Sequence, residues 1–131
     1  MSENSVLIKR LIACWNSGEL DTMDEILARD FVRHGDHLEG KKDVRGAAEY
    51  KQIVSEYHKL LTDFHSELHD VIEQGNKVAF RFRTTGKKDG RTIEFEGANI
   101  LRIEGNRIAE DWVFFDATGL AAQLGKQRRA A

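Results

Sequence analysis

Residues 77–115 read KVAFRFRTTGKKDGRTIEFEGANILRIEGNRIAEDWVFF, and this stretch decides the fold. Apolar and polar side chains alternate over residues 77–85, 92–103 and 107–115, which is the period of a β-strand whose two faces meet different surroundings. The polar, glycine-containing sequences GKKDG and EGN separate the three segments. The stretch therefore predicts three consecutive strands of an antiparallel meander.

One more strand and three helices are predicted before this meander. The alternation at residues 64–72 indicates a strand that the turn EQGN joins to the next one. Apolar residues recur every three or four positions over residues 6–15, 20–27 and 42–62, which predicts two short helices and a long one. Residues 30–35 lie between the second and third helix and predict a short strand or an extended turn.

The order of these elements indicates the fold class. Residues 117–125 form a last short helix that ends at Gly125, so helices precede the meander and one short helix follows it. This order predicts an α+β domain in which helices pack inside a curved antiparallel or mixed sheet, and such a sheet encloses a conical cavity. We expect a single domain over residues 1–131, with its core at about 6–125 and frayed ends.

Composition and charge exclude several classes of function. Of the 131 residues, 40% are hydrophobic and 32% are charged, which is enough apolar material for one core and too much for a disordered chain. Twenty basic residues face 22 acidic ones, for a formal net charge of −2. No basic surplus attracts nucleic acid or an anionic membrane, so we expect neither as a partner.

The N-terminal sequence and the single cysteine bear on the compartment. The chain begins MSENSVLIKRL, without the basic, then apolar, then small-residue pattern of a secretory signal. Charged residues interrupt every apolar stretch well short of the roughly 20 residues that a membrane span needs. The cytoplasm is therefore the expected location. Cys14 has no partner for an intrachain disulfide, and its helical setting predicts a buried, inert thiol.

Five stretches carry a resemblance to a known family. They read WNSGELDTMDEIL, DFVRH, GNKVAFRFRTTG, FEGANILRIEGNRIAEDW and FDATGLAAQLG, in order and with compatible spacings from about Leu7 to Gly125. Together they resemble the SnoaL-like branch of the nuclear transport factor 2-like superfamily. The resemblance implies a cone-shaped fold with a small-molecule pocket and core chemistry that needs neither a metal nor an organic cofactor. Relatives include polyketide ester cyclases, isomerases, dehydratases, epoxide hydrolases and proteins without a known reaction.

The last predicted strand departs from the ring-closing members of this family. Those members carry a carboxylic acid on the inward face of the strand, and the resemblance places that acid near Val113. Side chains alternate along a strand, so Asp111 shares the face of Val113 one pleat away. Asp111 is therefore the carboxylate that can take the place of the missing acid.

Asp111 and Asn99 are the candidate catalytic residues of the inward face. A carboxyl group in an apolar pocket has a raised pKa that suits general acid/base work. A structural ion pair of Asp111 with Arg81 or Arg83 is the equally weighted alternative. Asn99 shares its face with apolar side chains, so its amide either donates to a substrate carbonyl or enolate, or bonds to a neighbouring side chain or a buried water.

His34 is the third candidate, and the resemblance places its segment at the mouth of the cavity. A neutral imidazole there orients a substrate or shuttles a proton near neutral pH, whereas a capping or surface role is the alternative. His65, Glu67 and His69 have the spacing of metal ligands on one strand face. They alternate with the inward Phe64, which favours a solvated outer face and predicts no metal site.

Further predictions concern the pocket and the outer surface of the sheet. A mostly apolar cavity with few polar anchors is typical of a small-molecule site. The expected lining residues are Trp15, Tyr50, Tyr57, Arg81, Phe95 and Val113. On the other face of the last strand, Trp112 and Phe114 lie exposed unless a partner covers them, which predicts a homodimer through the outer sheet face.

Two functions from different classes follow from these residues. The first is a cofactor-independent enzyme of the cyclase, isomerase, lyase or hydrolase type that acts on an apolar, carbonyl-bearing small molecule. In it Asp111 is the acid or base, Asn99 and Arg81 are polar anchors, and His34 lies at the entrance. The second is a ligand-binding or interaction protein without turnover, which Val113 favours because it stands where the resemblance places the acid.

Overall fold

A computed structural model describes residues 2–38 and 40–125 of the chain. Its elements are α1 Glu3–Ser17, α2 Met23–Ile26, β1 Leu27–His37, β2 Gly40–Lys41, β3 Val44–Arg45, α3 Gly46–Leu60, β4 Thr62–Gln74, β5 Lys77–Lys88, β6 Arg91–Glu104, β7 Arg107–Phe115 and α4 Ala117–Gln123. The order confirms the α+β prediction. Within these residues no helix is long and apolar enough to cross a membrane. The frayed C-terminal end expected after residue 125 lies outside the described residues.

The N-terminal half differs in detail from the prediction. β1 is an 11-residue strand rather than a short segment over 30–35, because its backbone pairs with β7 from Leu27 onward. This pairing also ends α2 after four residues, where a helix over 20–27 was expected. α3 begins at Gly46 rather than near residue 42, because Val44 and Arg45 pair with β1 as β3.

The strands form a mixed sheet in the order β2-β1-β7-β6-β5-β4, with β3 also paired to β1. Adjacent strands of this sheet run antiparallel, except for β1 and β7, which run parallel. The parallel register aligns Arg33 with Asp111 and His34 with Trp112. Because side chains alternate across a strand, the first pair faces the interior of the curved sheet and the second pair faces outward.

The helices pack against the inner face of this sheet. α1 lies against β4, and α3 lies against β1 and β3. The main core fills the space between them, and its largest buried side chains include Ile8, Leu11, Phe31, Tyr50, Leu101 and Ile108. A smaller core, built from Leu61, Ile93, Leu120 and Leu124, lies where α4 covers β6. Asp116 accepts a 2.8 Å hydrogen bond from the backbone N–H of Gly119 and caps α4.

Two glycines allow β7 to approach its neighbours closely. A Cβ at Gly35, which has φ of 135°, would lie 2.3 Å from the carbonyl oxygen of Val113 across the parallel pair. At Gly97 a Cβ would lie 2.4 Å from the carbonyl oxygen of Phe114 and 2.6 Å from the ring of Phe82. Only glycine fits either position without moving β7. Gly97 also makes room for a ring that lines the cavity described next.

Candidate functional site

A cavity lies between the helices and the inner face of the sheet. Its free volume is about 50 Å³, which is room for roughly three to five water-sized groups. Most of the lining is aromatic or aliphatic, and it includes five of the residues predicted to be there: Trp15, Tyr50, Tyr57, Phe95 and Val113. This make-up is typical of a site for a small, largely apolar molecule.

Arg33, Asn99 and Asp111 form a polar cluster beside this cavity. The amide nitrogen Nδ2 of Asn99 donates a 2.8 Å hydrogen bond to Oδ1 of Asp111. Nε of Arg33 lies 3.5 Å from Oδ2 of Asp111, and this ion pair leaves both atoms without a hydrogen-bond partner. All three residues are buried, and Asp111 is not exposed at all. The sequence therefore grouped Asn99 and Asp111 on the inner face as the structure has them.

Asp111 lies one layer behind the cavity surface. Arg33 and Asn99 contribute to the lining, whereas Asp111 does not. Burial raises the pKa of Asp111, against the opposing effects of the Arg33 charge and the hydrogen bond from Asn99. The cluster thus consists of two residues that line the cavity, Arg33 and Asn99, and one titratable carboxyl group that lies behind them.

Aromatic rings hold the guanidinium of Arg33 in place. Its Cζ lies 5.4 Å from the ring centre of Tyr50 and 6.0 Å from that of Trp15, within reach of cation–π attraction. Nε1 of Trp15 donates a 2.9 Å hydrogen bond to the hydroxyl of Tyr50. Burial raises the pKa of Tyr50 above its usual range and that of Tyr57 to about 12. Both phenols are therefore neutral at physiological pH.

A second polar pair lines the cavity on β4 and β5. The hydroxyl groups of Ser66 and Thr84 are 2.7 Å apart and hydrogen-bonded. Asn16 at the end of α1 clasps the backbone of Ser66, accepting from its N–H at 2.6 Å and donating to its carbonyl at 2.9 Å. These two hydrogen bonds fix the end of α1 to β4 and hold the hydroxyl groups of Ser66 and Thr84 at the cavity surface.

Arg81 does not line the cavity, and its prediction as a polar anchor is wrong. It lies on the outer face of β5, where it pairs with Asp70 at 2.6 Å and its side chain is 58% exposed. The physical reason is strand alternation, since Phe80 and Phe82 on either side of it point inward. Arg83 is likewise paired outside, with Glu94. The arginine that faces Asp111 is Arg33.

His34 is not at the cavity entrance, so that expectation is also wrong. With Arg33 pointing inward, the next residue of β1 points outward. Nδ1 of His34 lies 2.9 Å from Oδ1 of Asp43, Nε2 lies 2.6 Å from Oε2 of Glu110, and the ring stacks on Trp112. The hydrogen bonds to these two carboxylates raise the pKa of His34, first through Asp43. We refer to His34, Asp43, Glu110 and Trp112 as the outer cluster.

The residues with metal-ligand spacing on β4 do not converge on a site. His65 and Glu67 are exposed, and Nε2 of His69 lies 3.3 Å from Oε2 of Glu67. Across residues 2–38 and 40–125, no group of three or more His, Cys, Asp or Glu side chains is arranged to hold a metal ion.

Arg33 was not among the residues predicted for the site. A usable signal was present, because Phe31 precedes it by two positions and a buried Phe31 places Arg33 on the same inner face. The prediction of a short strand or an extended turn over residues 30–35 did not assign the side chains of that segment to faces. Ser66 and Thr84 were missed as cavity-lining residues because hydroxyl side chains are common on both faces of strands.

The family of the protein follows from a match of its sequence to a family model. Residues 8–111 match the family model described as a SnoaL-like domain. Since the match covers most of the chain, the protein belongs to the SnoaL-like family. No curated protein matches the sequence closely enough to count as a relative.

Solved structures similar to this chain share its fold over nearly its whole length. IdmH from Streptomyces antibioticus, provisionally assigned as a polyketide cyclase, is 27% identical with a TM-score of 0.78, over 92% of this chain and 97% of IdmH. A protein from Bacillus cereus with the same provisional assignment is 26% identical with a TM-score of 0.83, over 92% of this chain and 79% of that one. TsrD from Streptomyces laurentii is 22% identical with a TM-score of 0.80, over 94% and 95%. These likenesses confirm the predicted SnoaL-like fold.

Proposed function

We propose that the protein binds an apolar small molecule with a carbonyl group in this cavity and catalyses proton transfer at the carbon next to that carbonyl. The polar cluster of Arg33, Asn99 and Asp111 beside an otherwise apolar cavity carries the proposal. Membership of the SnoaL-like family and the likeness to two provisionally assigned polyketide cyclases support a reaction of the cyclase type.

Arg33 and Asn99 are proposed to receive the carbonyl oxygen. Both residues line the cavity, and their side chains carry N–H donors. Negative charge develops on that oxygen when the neighbouring carbon loses a proton, and donors fixed in advance in a water-poor site stabilise this charge. Asp111 fixes the Asn99 amide, and the rings of Trp15 and Tyr50 fix the Arg33 guanidinium.

Asp111 is the proposed acid/base group. The C–H bond next to the carbonyl breaks, its electron pair moves into an enolate, and the proton goes to Oδ2 of Asp111, the oxygen without a hydrogen-bond partner. Burial favours the protonated carboxyl and so makes the carboxylate a stronger base. Oδ2 faces Nε of Arg33, so the guanidinium must move aside, or a water must bridge, as the ligand binds.

A specific observation favours binding without turnover as the second candidate. Val113, an apolar residue, lines the cavity, and Asp111 lies behind Arg33 and Asn99 rather than at the surface. In that case the same cavity and the same two donors hold a carbonyl compound, and the carboxyl group serves only to position them.

Acetophenone tests both candidates, because it is a small aromatic ketone with exchangeable protons next to its carbonyl. The chain has two tryptophans, so Trp112→Phe leaves Trp15 in the cavity as the fluorescent reporter of binding. Turnover is measured as exchange of the acetophenone methyl protons for deuterium in heavy water, by NMR. We expect saturable binding and exchange above the buffer rate.

Variants separate the two readings. Asp111→Asn should lower the exchange rate by about 100-fold or more and preserve acetophenone binding. Arg81→Met, on the outer face, is the matched control and should change neither. Binding without exchange in the unmodified site assigns the protein to the second candidate, whereas absence of acetophenone binding contradicts both.

We further propose that the protein is a homodimer that uses the outer sheet face. Phe114 is 58% exposed and Ile100 is 39% exposed, and Ile100 lies opposite the half-buried Trp112 in the β6–β7 register. Two copies of this face related by a two-fold axis cover these apolar side chains. The cavity on the other side of the sheet stays open to ligand.

A further inference from the structure

Arg33 carries hydrogen-bonding capacity that its described partners do not use. A guanidinium has five N–H donors. The side chain of Arg33 is only 7% exposed, yet its Nε has no hydrogen-bond partner and its ion pair with Asp111 is 3.5 Å long. An unpaired polar atom in a buried place is costly unless something fills it. Here the unpaired donor belongs to a cation that lines a cavity.

We propose that the ligand is an aromatic molecule with an acidic oxygen, as in a carboxylate, phenolate or enolate, and that Arg33 binds this oxygen while Asp111 takes up a proton. The inference rests on the proposed function, because it uses the same cavity and names its ligand class. It also fits that chemistry, since an enolate is the species that proton removal creates.

The charges of the cluster require the proton. Arg33 and an ionised Asp111 are together neutral, so an added anion leaves one net negative charge in a buried site and sets two anions against one cation. One proton on Asp111 removes that repulsion and restores neutrality. Anion binding and protonation of Asp111 are therefore coupled events.

Asp111 is the group that accepts this proton among those that face the cluster. Tyr50 and Tyr57 on α3 already hold their protons, because burial raises both pKa values. Cys14 on α1 is a neutral thiol whose pKa burial also raises. His34 acts on Asp111 from the opposite face of the sheet, where two carboxylates bind its ring nitrogens.

The shape of the site suits a flat ring with an oxygen at one edge. Trp15, Tyr50, Tyr57 and Phe95 supply aromatic surface, and the planar guanidinium fork matches the two oxygens of a carboxylate. The free volume of about 50 Å³ is below the roughly 150 Å³ of a cavity that binds benzene, so the lining side chains must move to admit one ring and must move further for a fused system.

Benzoate and acetophenone form a matched pair of probes, because a methyl group in one replaces a charged oxygen in the other. Binding is measured through Trp15 fluorescence in the Trp112→Phe protein between about pH 5.5 and 8. We expect the Kd of benzoate to rise about tenfold per pH unit above the pKa of Asp111, and that of acetophenone to stay constant. Calorimetry in buffers of different ionisation enthalpy should show about one proton taken up per benzoate bound.

Two variants assign the effect to Arg33 and Asp111. Arg33→Met should weaken benzoate binding by about 10- to 100-fold and acetophenone binding less, while Arg81→Met should change neither. Asp111→Asn supplies a neutral side chain, so it should abolish both proton uptake and the pH dependence of benzoate binding. Because this variant preserves Arg33, it decides the matter even where Arg33→Met does not fold.

The outcomes separate this inference from the proposed function. Acetophenone binding without benzoate binding, or benzoate binding without proton uptake, overturns the inference and leaves the proposed function standing. If neither probe binds, both fail.

Discussion

Replacing Arg33 by methionine should destabilise the protein in a way that depends on pH. The change removes the counter-ion of Asp111, which is 0% exposed, and leaves Asn99 at 2.8 Å as its partner. An ionised Asp111 is then a buried, uncompensated charge. Protonation relieves this penalty, so the loss of stability should be small in mild acid and large near neutrality.

The magnitude follows from proton linkage. Burial already places the pKa of Asp111 above its usual value, and the charge of Arg33 is the largest effect that holds it down; in the variant it must rise further. At a pH between the pKa of Asp111 in the unfolded chain, about 3.9, and its pKa in the folded chain, the folded chain binds more protons than the unfolded chain. The free energy of unfolding is therefore highest below this pH window and falls by about 1.4 kcal/mol per pH unit within it. Near pH 7 the loss relative to the parent should reach about 3 kcal/mol.

Urea unfolding followed by circular dichroism from about pH 5 to 8 measures this difference. Arg81→Met is the control, because Arg81 pairs with Asp70 at 2.6 Å on the exposed outer face. Its cost should stay below about 1 kcal/mol and change little over this range. A cost of Arg33→Met that is constant across this range, or below about 1 kcal/mol near neutrality, refutes the pairing of Arg33 with Asp111.

Three more variants test other parts of the structure. His34→Gln should lower the free energy of unfolding by on the order of 1 kcal/mol below about pH 6.5, because Asp43 and Glu110 bind the charged ring. The loss should shrink as pH rises through the raised pKa of His34. Equal losses at pH 6 and 9 in urea unfolding would argue against the outer cluster. Gly97→Ala should destabilise by about 1–3 kcal/mol, seen as a lower Tm, since its Cβ meets backbone and a ring; an unchanged Tm speaks against the tight β6–β7 contact. Trp112→Glu should convert the proposed dimer to a monomer in sedimentation velocity at micromolar concentration, and a dimer that survives it moves the interface elsewhere.

The meander was predictable because its information is local. The alternation of apolar and polar side chains within residues 77–115 indicates where the strands and turns lie and which side chains share a face. It places Asn99 and Asp111 on the inner face without knowledge of their partners. The same alternation already excluded Arg81 from the cavity, since it lies between the inward Phe80 and Phe82. The prediction of Arg81 as a polar anchor of the cavity conflicts with that pattern.

Arg33 illustrates what local pattern does not contain. Its place depends on the parallel pairing of β1 with β7, which joins residues 33 and 111 across most of the chain. A short polar segment that ends in His34-Gly35 has no apolar period long enough to define a strand. The error at His34 has the same source, because its outward direction follows from the inward direction of Arg33.

The start of α3 was mispredicted for a related reason. Val44 and Arg45 continue the helical period of the sequence, but their backbone pairs with Val32 and Arg33 in β1. Sheet pairing with a distant segment outweighs a weak local helical preference, and the helix then begins at Gly46.

The central claim is that the cavity directs a carbonyl oxygen at Arg33 and Asn99. The carbonyl stretch of bound acetophenone, observed by infrared difference spectroscopy with and without a ¹³C label at the carbonyl carbon, measures this polarisation directly. We predict a frequency lower than that of acetophenone in water, and a return toward higher frequency in Arg33→Met. A bound frequency equal to that in an apolar solvent would contradict the claim, because it would mean that the oxygen meets no donor.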